Sequence, residues 1–368
     1  MLYSTGTNIV TETYRLGTLR FWSGIDPYAL PLLGGDRYEY SPFFCLLYSF
    51  FAFLPSKAQA LAWSLASCLI FWLGIVLWWD KFGRIWNKRI AIAIALAAME
   101  LNICLLYQQI NASIVGATLI GLWYYSERNL LRSGLLLTLV TNTKPIPGLF
   151  PILLLLRREP KFFLALAVGS VFALVVPFFF LGWTENVAMH LQWVFRLIDT
   201  MGLVRPPQLD LGSVLGELVG QSVATPLTFA CFALSIVLLI WGSLREKLDW
   251  ACWISLALSF LLLASPRTES PTFVLIAPAY LFLAYRLNGI KTFRWISIGL
   301  NLSYVLAGFM ITVHFTDLWP RAWQLPFTIK YYSKVLGTLL IWLLSTVLFF
   351  FKNTQYSVPH GLFQRKIR

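Results

Sequence analysis

Charged side chains are scarce in this chain. Asp, Glu, Lys and Arg together make up 12% of its 368 residues, about half the share found in an average soluble domain. So little ionic surface excludes an ordinary water-soluble enzyme. Cysteine is limited to Cys45, Cys68, Cys104, Cys231 and Cys252, all in apolar stretches and none in CxxC spacing. They read as packing residues, not as disulfide partners or metal ligands. The histidines, His190, His314 and His360, are scattered, and no HExxH, Walker loop, GxGxxG or GxSxG sequence occurs. Metallohydrolase, ATPase and serine-hydrolase readings are left without support, and no metal or cofactor is expected. Low-complexity tracts and visible internal repeats are absent too.

What is present is apolar and aromatic. The chain is 58% hydrophobic and carries 16 Trp, 15 Tyr and 29 Phe, with a mean hydropathy of +0.70. This composition predicts an all-α, polytopic integral membrane protein with two interfacial aromatic belts. Apolar runs at 60–79, 90–107, 110–126, 162–183, 226–244, 248–266, 272–285, 295–315 and 335–351 give nine candidate spans, the seventh short for a full crossing. The run 133–156 is interrupted by Asn142, Thr143, Lys144 and Pro145. Each half is about twelve residues, near 18 Å of helix, so a broken, re-entrant hairpin fits better than one straight span.

The net charge of +13 reads as basic loops of a membrane protein, not as a nucleic-acid surface. Loops 80–89, 127–132, 157–161, 245–247 and 286–294, with the tail 352–368, hold eighteen Lys and Arg; the much longer opposite set holds ten. The first set is therefore expected in the cytoplasm. The resulting layout is an extracytoplasmic N-terminal loop with short surface helices at 1–59, a multi-span membrane domain at 60–351 and a basic cytoplasmic tail at 352–368. Within the membrane domain, 184–225 forms an extracytoplasmic cap loop. No signal peptide or helix precedes that segment to carry it across. Either a first helix is expected ahead of Met1 or the segment crosses as a short N-out tail, the first reading being favoured. Ten of the sixteen Asp and Glu fall on the extracytoplasmic side, which places any carboxylate chemistry there.

Several residues stand out. Lys144 lies inside an apolar run, where a lysine is costly and usually faces a cavity or a partner. It is either a structural partner of Glu100, the one acid within a span, or a cation offered to a lipid phosphate at the hairpin tip; the break at Pro145 favours the second. Tyr107-Gln108-Gln109-Ile110-Asn111 occupies a turn between spans, where amides either hydrogen-bond sugar hydroxyls or cap helix ends. In Ser265-Pro266-Arg267-Thr268-Glu269-Ser270-Pro271, Arg267 either clamps an anion or belongs to an ordinary polar turn. Asp199, Asp210 and Glu217 read as solvated surface. The segment from Gly24 to Pro55 sets Asp26, Asp36 and Glu39 among tyrosines and then runs into an apolar piece too short to span.

The ordered set GIDPY, RYEYSPFFCLLYSFFAFLP, YQQIN, SGLLLTLVTNTKPIPGLFPILLLLRR and LASPRTESPTFVLIAPAY resembles glycosyltransferase family 87, a branch of the GT-C membrane glycosyltransferases. The family includes mannosyltransferases that use polyprenyl-phosphate-mannose. The resemblance runs over about residues 12–285 and implies metal-independent transfer of a sugar from a polyprenyl phosphate to an acceptor outside the cytoplasm. It implies an acid in the first extracytoplasmic loop as general base and cationic side chains on the departing phosphate. The family's base position falls on Val10, and the nearest acid is Glu12; Asp26 matches a later loop acid. The family's Gly-Gln-x-Asn turn is Gln108-Gln109-Ile110-Asn111 here, and its Tyr-Pro-Pro is Tyr40-Ser41-Pro42.

The expected function is hexosyl transfer, with mannose the family's best-known sugar, from a polyprenyl-phosphate donor to a lipid or glycan acceptor. Glu12 or Asp26 would be the base, and Lys144 and Arg267 would hold the donor phosphate. Gln109, Asn111, Tyr28 and Tyr40 would contact sugar or acceptor. The expected partners are the bilayer of the cell membrane, the donor and the acceptor; the protein is expected to be a monomer. The rival readings are a transporter or flippase with Lys144 and Glu100 lining a pathway, and a catalytically silent protein of the same fold.

Overall fold

In hydrocarbon every backbone N–H and C=O must find its partner within the protein, and a chain of separate apolar runs does this by forming helices. The computed structural model describes residues 9–28, 37–201, 209–265, 268–288, 294–314 and 327–351, and all regular structure among them is helical. The chain opens with α1 (Ile9–Trp22), α2 (Pro42–Ala52), α3 (Ser56–Lys81), α4 (Lys88–Leu106), α5 (Asn111–Ser126) and α6 (Leu130–Thr143). A 3-10 turn, Ile146–Gly148, leads to α7 (Leu149–Leu155), α8 (Pro160–Val175), α9 (Phe178–Leu181), α10 (Trp183–Met201), α11 (Leu211–Val219), α12 (Gln221–Leu244) and α13 (Trp250–Ala264). A second 3-10 helix, Ser270–Ile276, runs into α14 (Ala277–Leu287), followed by α15 (Arg294–His314) and α16 (Phe327–Phe350).

The described residues of each of the nine apolar runs lie mainly on helix. Among the described residues, six segments are long and apolar enough to cross a membrane: Ser56–Lys81, Lys88–Leu106, Pro160–Leu181, Gln221–Leu244, Ser270–Leu287 and Tyr332–Phe350. On α3 the stripe Leu61, Leu65, Leu69, Leu73 and Val76 is exposed. Such a face is unfavourable in water and is covered by lipid tails in a bilayer. The protein is an all-α, polytopic helical membrane protein.

Local sequence sets the helix ends. Ser41 accepts a hydrogen bond from the Phe44 N–H at 3.3 Å, and Pro42 occupies the first turn of α2, where a missing N–H costs nothing. Asn87 caps α4 by accepting from Ile90 N at 3.0 Å. Pro145 cannot continue α6, and Lys144 before it is extended, at φ −143° and ψ 123°. The expected break in the run 133–156 is therefore present.

Helix directions follow from side-chain contacts. Ser67 meets Ser113 at 2.8 Å, and Trp78 donates to the Leu119 carbonyl at 2.9 Å, so α3 and α5 run parallel with α4 returning between them in sequence. Thr138 donates to Leu166 O at 3.4 Å, Gly134 abuts Phe162 and Ala165, and Gly169 abuts Thr138. Helices α6 and α8 are therefore also parallel. Arg128, before α6, pairs with Glu159, before α8, at 2.5 Å.

One end of the bundle collects arginines on helix C-termini, whose last carbonyls have no partner within the helix. Arg157 donates to the carbonyls of Ser243 and Arg245 at 2.9 and 2.8 Å. Arg245 reaches Phe349 O at 3.3 Å. Arg286 pairs with Asp249 at 2.7 Å and donates to Phe351 O at 3.1 Å. These residues come from the loops that the charge pattern groups on one side.

The contact between α3 and α5 depends on Gly116. A Cβ there would lie 2.4 Å from the Ile70 carbonyl oxygen and 2.6 Å from the Phe71 Cα, backbone atoms that cannot rotate away. Gly116→Ala is expected to force the helices apart at a cost of about 1–3 kcal/mol. A thermal-unfolding midpoint in detergent equal to the wild type's would contradict this close approach.

Candidate active site

Three stretches far apart in sequence meet at the end of the bundle away from the arginine-capped termini. Lys144 Nζ donates to Asn111 Oδ1 at 2.8 Å. Asn111 Nδ2 donates to Gln109 Oε1 at 2.6 Å and faces Thr272 Oγ1 at 3.4 Å. Gln109 Nε2 donates in turn to Glu269 Oε2 at 3.0 Å. The result is a continuous path from a cation through two amides to a carboxylate. It fixes both amides, because Asn111 must turn its oxygen to the ammonium and its nitrogen to Gln109. Asn111 is buried, Lys144 and Gln109 are half-buried, and Glu269 is exposed, so the path leads from the interior to the surface.

The backbone prepares this arrangement. Pro145 stops α6 and leaves Lys144 extended, Asn111 opens α5, and Glu269 immediately precedes the second 3-10 helix. Gln108 has a φ of +52°, the left-handed conformation that glycine favours after a helix, and it stands where the family pattern has Gly. The turn is closed by Gln109 N donating to Cys104 O at 3.1 Å. The left-handed residue costs about 1–2 kcal/mol. Trp63 Nε1 on the Gln108 carbonyl at 3.1 Å and the Thr11 hydroxyl on the Gln108 side chain help to hold it.

A second cation lies behind the path. Lys334 Nζ meets Glu100 Oε2 at 2.9 Å, with both side chains 1% exposed. It also lies 3.3 Å from Ser270 Oγ and 5.2 Å from the centre of the Phe273 ring. Glu100 thus pairs with Lys334, so the alternative reading of Lys144 as the structural partner of Glu100 falls away. Lys334 is inside α16. Its signal in the sequence was a lysine at the head of the last apolar run, easily read as a flanking charge. Lys334 and Thr272 had no expected role, and Glu269 had been noted only as part of its turn.

The N-terminal segment forms a wall beside the 107–111 turn. The Tyr14 hydroxyl accepts from Ile110 N at 3.3 Å and shares a 3.0 Å hydrogen bond with the Tyr40 hydroxyl. Tyr28 OH donates to the Tyr40 carbonyl at 2.7 Å. Burial, with smaller contributions from Cys45 and Asp26, pushes the Tyr28 hydroxyl well above the usual tyrosine range, so it stays a donor at ordinary pH. Helix α10 clasps this wall from outside: Arg196 donates to the Tyr28 carbonyl and Trp193 to the Glu39 carbonyl at 3.1 Å.

The expected site residues divide accordingly. Lys144, Asn111 and Gln109 are brought into one hydrogen-bonded path, with Tyr40 and Tyr28 in the adjoining wall. Asp26 accepts from Tyr28 N at 2.8 Å, and the Gln192 amide, nitrogen turned toward it, lies 2.6 Å from both its oxygens. Glu12 lies 3.5 Å from Arg15 with its side chain 13% exposed, and among the described residues no hydrogen bond joins it to the path. Arg267 lies outside the described residues. Asp210 caps α11 through Ser213 N at 3.0 Å, a helix-ending role in place of free surface.

The apolar helices and the polar, cation-bearing path at one end define a polytopic helical membrane protein. Residues 38–266 match the family model of Glycosyltransferase family 87, and the chain belongs to that family. Membership is consistent with glycosyltransferase activity. The matched stretch contains Tyr40, Gln109, Asn111 and Lys144; Glu12, Asp26, Tyr28 and Arg267 fall outside it. No curated protein matches the chain.

The Glu100–Lys334 pair generates a stability prediction. Removing one partner leaves a charge buried alone, at a cost of about 3–5 kcal/mol, so Lys334→Met should lower the unfolding midpoint sharply. The double variant Glu100→Leu/Lys334→Met should recover much of it. Equal midpoints for wild type and Lys334→Met would show that the pair carries no stability.

Proposed function

We propose that this protein transfers a hexose from a polyprenyl-phosphate-linked donor to a lipid or glycan acceptor on the extracytoplasmic side of the cell membrane. The observation that carries this reading is the path Lys144–Asn111–Gln109–Glu269, because it joins a deep cation to sugar-sized polar groups at the end opposite the basic loops. Lys144 contacts the departing lipid phosphate. Charge that develops there during transfer is best stabilised by a fixed cation in a poorly solvated place. Gln109 and Asn111, already oriented, offer hydrogen bonds to sugar hydroxyls. In this reading 133–156 enters and leaves the membrane from one side, which the parallel run of α6 and α8 and the Arg128–Glu159 pair support.

The acceptor hydroxyl needs a positioned carboxylate to take its proton as it attacks the anomeric carbon. Asp26 has both oxygens engaged by N–H donors, and Glu269 is engaged by Gln109. Glu12 has Arg15 at 3.5 Å as its ion-pair partner and keeps the greater share of its lone pairs open. It lies one residue from Thr11, which touches Gln108. We assign the base to Glu12, with Asp26 as a holder of the N-terminal wall and Glu269 as the anchor of Gln109.

The test is transfer from radiolabelled polyprenyl-phosphate-mannose to a membrane-lipid acceptor by purified, reconstituted protein. Transfer is expected; exchange of the lipid across liposomes without transfer would overturn the enzyme reading in favour of a flippase. Lys144→Ala should reduce turnover at least 100-fold, an estimate of about 3 kcal/mol for a lost electrostatic contact, while the protein still inserts and unfolds cooperatively. Near-normal turnover would remove Lys144 from the reaction. Among Glu12→Gln, Asp26→Asn and Glu269→Gln, the first should lose the most kcat; full activity in Glu12→Gln would move the base to another carboxylate.

A further inference from the structure

At the arginine-capped end, the acids are mostly matched among the described residues. Arg84 meets Asp80 at 2.5 Å, Lys81 pairs with Glu127, Arg128 with Glu159 and Arg286 with Asp249. Lys88 and Arg89, at the start of α4, have no ion-pair partner among the described residues. Both line a groove of about 510 Å³ between α4 and α15, whose other walls are Ile92, Asn301, Tyr304 and Val305.

The groove is graded along its length. Its cations sit at the helix end, where the Asn87 cap and the Asn87–Asn288 contact of 3.1 Å mark the level of the loops. Ile92 lies one turn further along α4, and Asn301 and Val305 lie two to three turns into α15, about 10–16 Å from its start. Ile92 and Val305 are 39% and 63% exposed. Beside them Trp295, Ile298 and Leu302 are exposed on the same helix, an outward face that only hydrocarbon covers favourably. Tyr304 closes the floor, with its hydroxyl donated to the Tyr280 carbonyl at 2.9 Å.

We propose that this groove binds an anionic membrane phospholipid, with the headgroup phosphate on Lys88 and Arg89, the ester region at Asn301 and an acyl chain along Ile92 and Val305. Two unmatched cations above an apolar channel complement a molecule that is anionic at one end and hydrocarbon at the other. Basic pockets between membrane helices recognise anionic headgroups in this way. The chain's own tail, 352–368, carries Lys352, Arg365, Lys366 and Arg368 and no acid, the wrong charge for this occupant. The site is separate from the Lys144 path and does not depend on the transfer reaction.

Native mass spectrometry of the detergent-purified full chain, titrated with phosphatidylglycerol or phosphatidylcholine, tests the proposal. Wild type should retain phosphatidylglycerol preferentially. Lys88→Gln/Arg89→Gln should weaken that retention about 30-fold, roughly fivefold per cationic side chain near the surface. Ile92→Trp, which fills the channel and leaves the charge in place, should also lose the lipid; Lys161→Gln, a basic residue on α8 away from the groove, should not. Equal retention of both lipids, or undiminished phosphatidylglycerol retention in the double variant, would overturn the proposal. Loss in the double variant with retention in Ile92→Trp would reduce it to surface charge without a groove. Displacement of the lipid by millimolar inorganic phosphate would mean that a free phosphate, not a lipid, is the occupant.

Discussion

A lysine inside an apolar helical domain must meet oxygen, and two such lysines organise this molecule. Lys144 meets Asn111 and Lys334 meets Glu100, on either side of the Ser270–Ile276 helix. Their demands draw α4, α5, α6 and α16 to one place. The two contacts have different characters. The Glu100–Lys334 pair is sealed at both ends and contributes to holding the bundle together. The Lys144 contact with Asn111 is made to a neutral amide in a half-buried place.

Hydrogen bonding to Asn111, which is itself fixed by Gln109, holds the Lys144 ammonium in one orientation. The N-terminal wall then narrows the approach. Its tyrosine hydroxyls are largely committed to Ile110, to one another and to the Tyr40 carbonyl, so the wall is rigid and its surface is largely aromatic.

Much of the architecture was legible because the relevant signals are local. The described residues of the nine apolar runs lie mainly on helix, and Pro145 breaks the interrupted run where a missing N–H dictates. Ser41-Pro42 starts a helix for the same kind of reason. Lys144, Gln109 and Asn111 stood out in the sequence one by one, and they meet in the fold. What stayed hidden depends on which helices touch. Lys334 and Glu100 are separated by 234 positions, and no periodicity in either segment points to the other. Asp26 reads as a free loop acid until Gln192 of α10 closes over it. Gln108 looks like a neutral exchange for glycine, and only its φ shows that the turn has kept the glycine conformation.

The sealed pair also has a bearing on how the chain is made. Glu100 emerges 234 residues before the lysine that will pair with it. At ordinary rates of synthesis that interval is roughly 10–50 s. For that time a helix carrying a carboxylate must wait in or beside the bilayer, kept by water, lipid headgroups or an assembly factor. The ionic interior can close only when α16 arrives, so α16 acts as a late clasp in biogenesis, and a chain stalled short of it would display its unmatched acid to the membrane's quality-control machinery.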